Sequence, residues 1–240
     1  MEQSRGIVLH ALRYGDNQMV VSVFTETCGT VSFMLRQPQS GKRNGPRAVM
    51  WQPLTLVDVT WEASRNSIQK PREWSLSLPW RSIPFNPHKA AIALFLGEFL
   101  FRALRNEAAN PSLFRYIHSS LEWFDECDEH FSNFHIVFLL HLSRFLGFYP
   151  NADDWHEGDY FDLQNAVFTS SVPLHKHYLQ PEEASLVPKF LRMDVRKMRV
   201  VHLNGALRSR TLSSVVEFYR LHVPEFPEIK SLNVLAEVFS

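Results

Sequence analysis

Only two cysteines occur in 240 residues, Cys28 and Cys127, far apart and in no paired spacing. A disulfide framework is thereby excluded, and a reducing compartment suits the chain better than an oxidising one. No stretch reaches the roughly 20 uncharged apolar residues that a membrane-crossing helix needs. The opening Met1-Glu2-Gln3-Ser4-Arg5 also lacks the apolar run of a secretory signal. The expected location is the cytoplasm. Signatures of catalysis are missing as well. Gly41-Lys42 is followed by Arg43, without the earlier glycine and the following Ser or Thr of a phosphate-cradling loop. There is no Gly-x-Gly-x-x-Gly, His-Glu-x-x-His or Gly-x-Ser-x-Gly. His175-Lys176-His177, with the acids of Asp153 to Asp162, is a weak metal signal that surface histidines explain better. Asp153-Asp154 reads as a turn-forming acidic loop rather than an acid–base pair. The expectation is a protein that is not an enzyme and holds no metal or other cofactor.

Net charge is also absent, with 25 Lys and Arg against 25 Asp and Glu. That balance argues against an indiscriminate polycation, yet the charges are sorted along the chain. Arg36, Lys42, Arg43 and Arg47 follow one another with no acid between them, and Lys189 to Arg210 carries seven cations against the single Asp194. Acids collect in Glu122 to Glu129 and in Asp153 to Asp162. Each basic group is either a patch for a polyanion or an ordinary solvated face.

From Arg5 to about Trp80 the pattern is short, β-rich and often interrupted. Ile7-Val8-Leu9 and Met19 to Phe24 read as strands separated by the turn formers Gly15, Asp16 and Asn17. Thr30 to Leu35 alternates as a half-buried strand does, Leu54 to Trp61 is a fourth strand, and Ile68 to Leu78 is a fifth. Gln37 to Pro46, with two prolines and two glycines among its polar residues, is a surface loop that carries Lys42 and Arg43. Five short strands in about 75 residues suggest a small barrel of the OB kind. On such a barrel the loop's cations would neutralise phosphates while aromatic side chains stack on bases. Arg65, Lys70 and Arg72 could extend that surface, and one of Trp51, Trp61 and Trp74 could stack, the others being core.

After Pro84 the period becomes helical. Asn86-Pro87 and Asn110-Pro111 are start signals, a nearly all-apolar helix runs from about Asn133 to Leu146, and Gly147 is its left-handed cap. Asn151 to Tyr178 is irregular and polar, with room for a short hairpin at Tyr160 to Phe168. Helices resume near Pro181, then cover about Asp194 to Leu203, Gly205 to His222 and Ser231 to Phe239. Arg192, Arg196, Lys197, Arg199, Arg208 and Arg210 would lie on them, as a face for duplex DNA or a partner, or as solvated surface. The expected fold is α+β, with a five-stranded barrel over 1–80 and an all-helical domain over 81–240 whose insertion at 151–178 has no cysteine.

Several segments carry a joint signal in their order and spacing. They are Gly6-Ile7-Val8-Leu9-His10 with Tyr14-Gly15-Asp16, Phe24-Thr25-Glu26 with Gly29, and Gln52-Pro53-Leu54. Further along come Leu94 to Leu100, Leu142 to Asn151, and Tyr219 to Pro224 with Lys230-Ser231-Leu232. Together they resemble the RecO family of bacterial recombination mediators, and the tail resembles its Bacteroidetes-type branch. The resemblance spans nearly the whole chain and includes no catalytic signature. It implies an amino-terminal OB-fold, a helical carboxy-terminal domain, and a role in DNA repair, DNA damage response and recombination through the RecFOR pathway. It further implies binding of single- and double-stranded DNA, ATP-independent strand annealing, and work at the nucleoid. The implied partners are RecR, in some species RecF, and the acidic tail of single-strand-binding protein (SSB), RecA being loaded on the SSB-coated strand. Some relatives carry a four-cysteine zinc module where this chain has the cysteine-free 151–178, so no zinc is expected. The resemblance raises Lys42 and Arg43 as DNA contacts. Arg36, Arg47, Arg65 and Lys70 complete the expected site, with Arg196, Lys197, Arg199, Arg208 and Arg210 as a possible second basic surface. The competing expectation is an adaptor that docks RecR and SSB and touches DNA only incidentally.

Overall fold

The structure, a computed structural model, describes residues 1–36, 49–193 and 203–239. Contacts divide the chain into two compact units, Met1–Glu126 with Ile229–Leu235, and Cys127–Glu228 with Ala236–Ser240.

The first unit is built on a six-stranded sheet in the order β5-β3-β2-β1-β4-β6. Its strands are β1 (Glu2–Tyr14), β2 (Gln18–Thr25), β3 (Gly29–Arg36), β4 (Leu56–Trp61), β5 (Ile68–Gln69) and β6 (Pro71–Leu78), with a short 3-10 turn at Val49–Trp51. The expected five strands are thus six. Ile68 to Leu78 breaks after Gln69 because Pro71 has no N–H to continue a ladder and is tolerated only as the first residue of the next strand. β5 joins β3 in parallel, Ser32 opposite Ile68, while β6 runs antiparallel to β4. The two outermost strands are therefore neighbours in the chain, with only Lys70 between them.

One face of the sheet buries Val8, Val21, Val23, Phe33, Val57, Val59 and Trp61. At about 25 cal/mol per Å² of apolar surface, such a cluster supplies the main drive for this unit. The register shifts between Val8 and His10, so that Val8 sits in the core while His10 points to the other face.

Two helices, α1 (Pro87–Ala103) and α2 (Pro111–Glu126), belong to the same unit. The Asn86 side chain accepts the N–H groups of His88 and Lys89, and Asn110 accepts that of Leu113, which is why both helices begin where they do. The β2–β3 turn fits tightly against the connection between them. Gly29 has φ +72°, and a Cβ there would lie 2.3 Å from the carbonyl oxygen of Glu107. Thr30 seals the approach, its N–H donating to Glu107 O and its hydroxyl to Leu104 O.

In the second unit, α3 (Phe134–Phe145) is buried on nearly every side. Tyr219 on α6 (Gly205–His222) donates its hydroxyl to the Leu139 carbonyl of α3 at 2.7 Å. Gly147, at φ +87°, caps α3 as expected. The all-helical expectation needs correction, because the insertion forms a three-stranded sheet, β8-β7-β9, from Tyr160–Asp162, Val167–Thr169 and Tyr178–Leu179. Phe161 and Phe168 pair across it in the short hairpin expected over Tyr160 to Phe168, while the third strand, paired to Phe161 through Leu179, goes beyond that expectation. Short helices α4 (Pro181–Ala184) and α5 (Leu186–Leu191) follow, and α7 (Ser231–Val238) ends the described chain. The expected helix over Asp194 to Leu203 falls largely outside the described residues. No described helix is long and apolar enough to cross a membrane.

Candidate nucleic-acid interface

The outward face of β1, β2 and β3 changes character along its length. At one end Phe24 lies under Phe114 of α2, ring centroids 6.1 Å apart. Further along, His10 stacks on Phe101 of α1 at 4.4 Å and 26°. Beyond that point the β1 side of the face is exposed. Pairing aligns Leu12 with Val20 and Met34, then Tyr14 with Gln18 and Arg36. Leu12 and Tyr14 are 59% and 58% exposed, which is unusual for large side chains on a sheet and leaves an aromatic ring and an aliphatic side chain available for stacking.

Two of the expected cations lie near this strip. Arg36 is its exposed terminal residue on β3. Lys70 is exposed and directly follows Gln69, the β5 partner of Phe33 on β3. Arg65 lies elsewhere, at the other end of β5, in a turn braced by Gln69. The Gln69 amide accepts from Ser64 N–H and hydroxyl and donates to the Ser64 and Asn66 carbonyls. Arg72 is held by Glu62 at 2.5 Å. Lys42, Arg43 and Arg47 lie outside the described residues, in the segment that leaves β3 after Arg36 and returns at Val49.

The tryptophans divide as core and near-core. Trp61 is 3% exposed and meets Phe33 edge-on at 5.3 Å. Trp51 and Trp74 are half-buried and stack on each other at 6.3 Å and 19°. The exposed ring that the sequence did not mark as a candidate is Tyr14, because its place beside Gly15, Asp16 and Asn17 marked it as turn.

Of the second basic group, Arg196, Lys197 and Arg199 lie outside the described residues. Arg208 turns inward, donating from Nε to Asn133 and from Nη2 to the Leu203 carbonyl, with its guanidinium over the Phe239 ring. Burial lowers its pKa from the ordinary value. Arg210 is exposed and lies 3.7 Å from Glu183. That glutamate edges a shallow apolar cleft walled by Leu140, Phe161, Val187, Phe190, Val215 and Phe218.

Chemistry of other kinds finds little support. Among the described residues no group of three or more His, Cys, Asp or Glu is placed to hold a metal. His175 accepts the His177 N–H at Nδ1, which leaves Nε2 to face Asp162 at 3.3 Å. Burial pushes the Asp162 carboxyl up, but donors from Asn165, Gln164 and His175 outweigh it and hold it below the ordinary value. His177 pairs with Glu217 at 3.0 Å. These contacts brace the insertion.

Comparison with known proteins adds the following. Residues 1–78 match the family model described as recombination protein O N terminal, and residues 84–232 match the one described as recombination protein O C terminal. The chain is 46% identical to the DNA repair protein RecO of Bacteroides fragilis, over all of this chain and 99% of that one. It is 43% identical to that of Phocaeicola vulgatus over the full length of both, and 30% identical to that of Porphyromonas gingivalis over 98% of each.

Proposed function

Since this chain belongs to the RecO family of DNA repair proteins, which are non-enzymatic recombination mediators, we propose that it holds single-stranded DNA on the open face of its amino-terminal sheet. There it anneals complementary strands without ATP. The observation that carries this reading is the strip of exposed Leu12 and Tyr14 beside half-buried Met34, which ends at exposed Arg36, with exposed Lys70 just past the end of β5. Bases stack on the β1 side of the strip, and cations take the phosphates on the β3 side. Lys42, Arg43 and Arg47 extend the phosphate contacts, and Arg65 meets a more distant part of the strand. Neutralising both strands lowers the repulsion that opposes pairing, which is all that annealing requires of a protein without nucleotide chemistry.

In this reading residues 1–80 are the DNA-binding part, folded as an OB barrel. The adjacency of the two outermost strands across Lys70 supports that curvature, since Gln69 and Pro71 can be no more than about 7.6 Å apart. Residues 81–240 form the helical part, with 151–178 at the position of a degenerate zinc module. The protein works in the cytoplasm at the nucleoid, with RecR and, where present, RecF, and helps load RecA onto SSB-coated DNA. Duplex DNA meets the second basic surface of Arg196, Lys197, Arg199, Arg208 and Arg210, with Arg208 contributing least because its guanidinium is engaged internally.

A second reading, an adaptor with incidental DNA affinity, is favoured by the apolar cleft. Beside Arg210, this cleft suits an acidic peptide that ends in a hydrophobic residue, the chemistry of the SSB tail. Titrating single-stranded DNA at several salt concentrations separates the two. The mediator loses affinity steeply with salt, and the loss becomes shallower in Arg36→Ala and in a Lys42→Ala, Arg43→Ala pair. Unchanged binding and annealing in Tyr14→Ala and in these variants would leave the adaptor.

A further inference from the structure

Successive outward side chains of β1 are about 6.6–6.8 Å apart, from a rise of 3.3–3.4 Å per residue. Tyr14 and Leu12 occupy two such steps and are open to solvent. The third step, His10, is already occupied, because the Phe101 ring lies over it at 4.4 Å in the near-parallel geometry that a base would adopt. Arg102, the next residue of α1, has its guanidinium 5.2 Å from the Phe101 ring centre. Its Nε is buried with no hydrogen-bond partner among the described residues. Burial, aided by Arg102 and opposed by Glu98, keeps His10 below its ordinary pKa.

From this geometry we infer that Phe101 ends the single-strand path on the sheet. It stands in for the next base on β1, and so fixes how many bases the open face holds and where the strand must turn away, past the Arg102 cation. The inference rests on the DNA-binding reading above. The strand follows β1 because the two most exposed stacking side chains lie along it two residues apart. Arg36 is two strands away, roughly 9–10 Å to the side, within reach of the backbone of a base stacked on Tyr14. Past His10 the face is closed by helices, so a longer path along β1 has no room.

The test is binding of oligothymidylates that lengthen one nucleotide at a time. In Phe101→Ala and Phe101→Leu, the shortest oligomer with full affinity should grow by one nucleotide. Longer oligomers should bind about 5-fold tighter or more, the equivalent of one added stacked base. Phe101→Trp should keep the original length. Proton NMR of the unsubstituted protein gives an independent reading: DNA should shift the Tyr14 ring resonances and leave those of His10 in place. An unchanged minimal length in a folded Phe101→Leu chain, or a His10 shift as large as that of Tyr14, overturns the inference. Loss of all effect from Tyr14→Ala and Arg36→Ala overturns the DNA-binding reading instead.

Discussion

Lys89 is 1% exposed and donates from Nζ to the backbone carbonyl of Asp125 at 3.0 Å. The same ammonium donates to Ser82 Oγ at 2.6 Å. The Asp125 carboxylate accepts the N–H groups of Arg81, Ser82 and Ile83 at 2.7 to 2.9 Å. A cation and an anion, one on α1 and one on α2, thus clamp the link between β6 and α1 from both sides.

Asp125→Ala should cost about 3 kcal/mol of stability, because it strands the buried Ile83 N–H and the part-buried N–H groups of Arg81 and Ser82. Urea titration followed by tryptophan fluorescence measures this. Burial pushes the Asp125 carboxyl up, but the backbone donors outweigh it and leave it below the ordinary value. The contribution is therefore present above the unfolded carboxylate range and is lost as pH falls through the folded value.

Gly29→Ala should destabilise the first unit by about 3 kcal/mol. The side chain meets an unfavourable left-handed backbone and the Glu107 carbonyl oxygen at once. Gly15→Ala, also at positive φ but with open space around it, should cost about 1 kcal/mol. A thermal-melt comparison in which the two lose equally would contradict the packing described at Gly29.

His135 is fully buried, and burial, reinforced by Arg208, holds its pKa near 3 against an ordinary 6.5. The folded chain keeps this imidazole neutral while the unfolded chain protonates it. Stability should therefore be complete above about pH 6.5 and fall by up to roughly 1.4 kcal/mol per pH unit below it. His135→Leu should flatten that limb of a pH–stability curve. A curve of the same slope in the variant would assign the loss to other groups.

Glu98 on α1 accepts the N–H groups of Lys230 and Ser231 and the Ser231 hydroxyl, anchoring the first turn of α7. Glu98→Gln should cost about 1–2 kcal/mol, from weaker acceptance and loss of a favourable charge at a helix start. Amide hydrogen exchange should locate the loosening in residues 230–235 before it appears in the β1–β4 strands.

Local chemistry announced much of this architecture. Asn86-Pro87 and Asn110-Pro111 started helices where capping geometry demands it, and Gly147 ended one. Alternation located the strands, but β1 runs from Glu2 to Tyr14, well beyond Ile7-Val8-Leu9, because its length comes from pairing with both β2 and β4. Pairing partners distant in sequence leave no local trace. The same is true of the open face. Arg36 and Lys70 were visible as cations, but their nearness to the strip that holds Tyr14 exists only once the strands are in register. Trp61, the most conspicuous aromatic of the sheet, proved to be core.

The anchoring of α7 also sets an order of assembly. The first compact unit takes in Ile229–Leu235, and everything between Glu126 and Ile229 belongs to the other unit. On the ribosome, the sheet and its two helices emerge early but must wait through some hundred further residues of synthesis before the segment that satisfies Glu98 arrives. A nascent chain halted anywhere in that interval holds a sheet-bearing unit with an unmatched carboxylate, and translation finishes the amino-terminal half last.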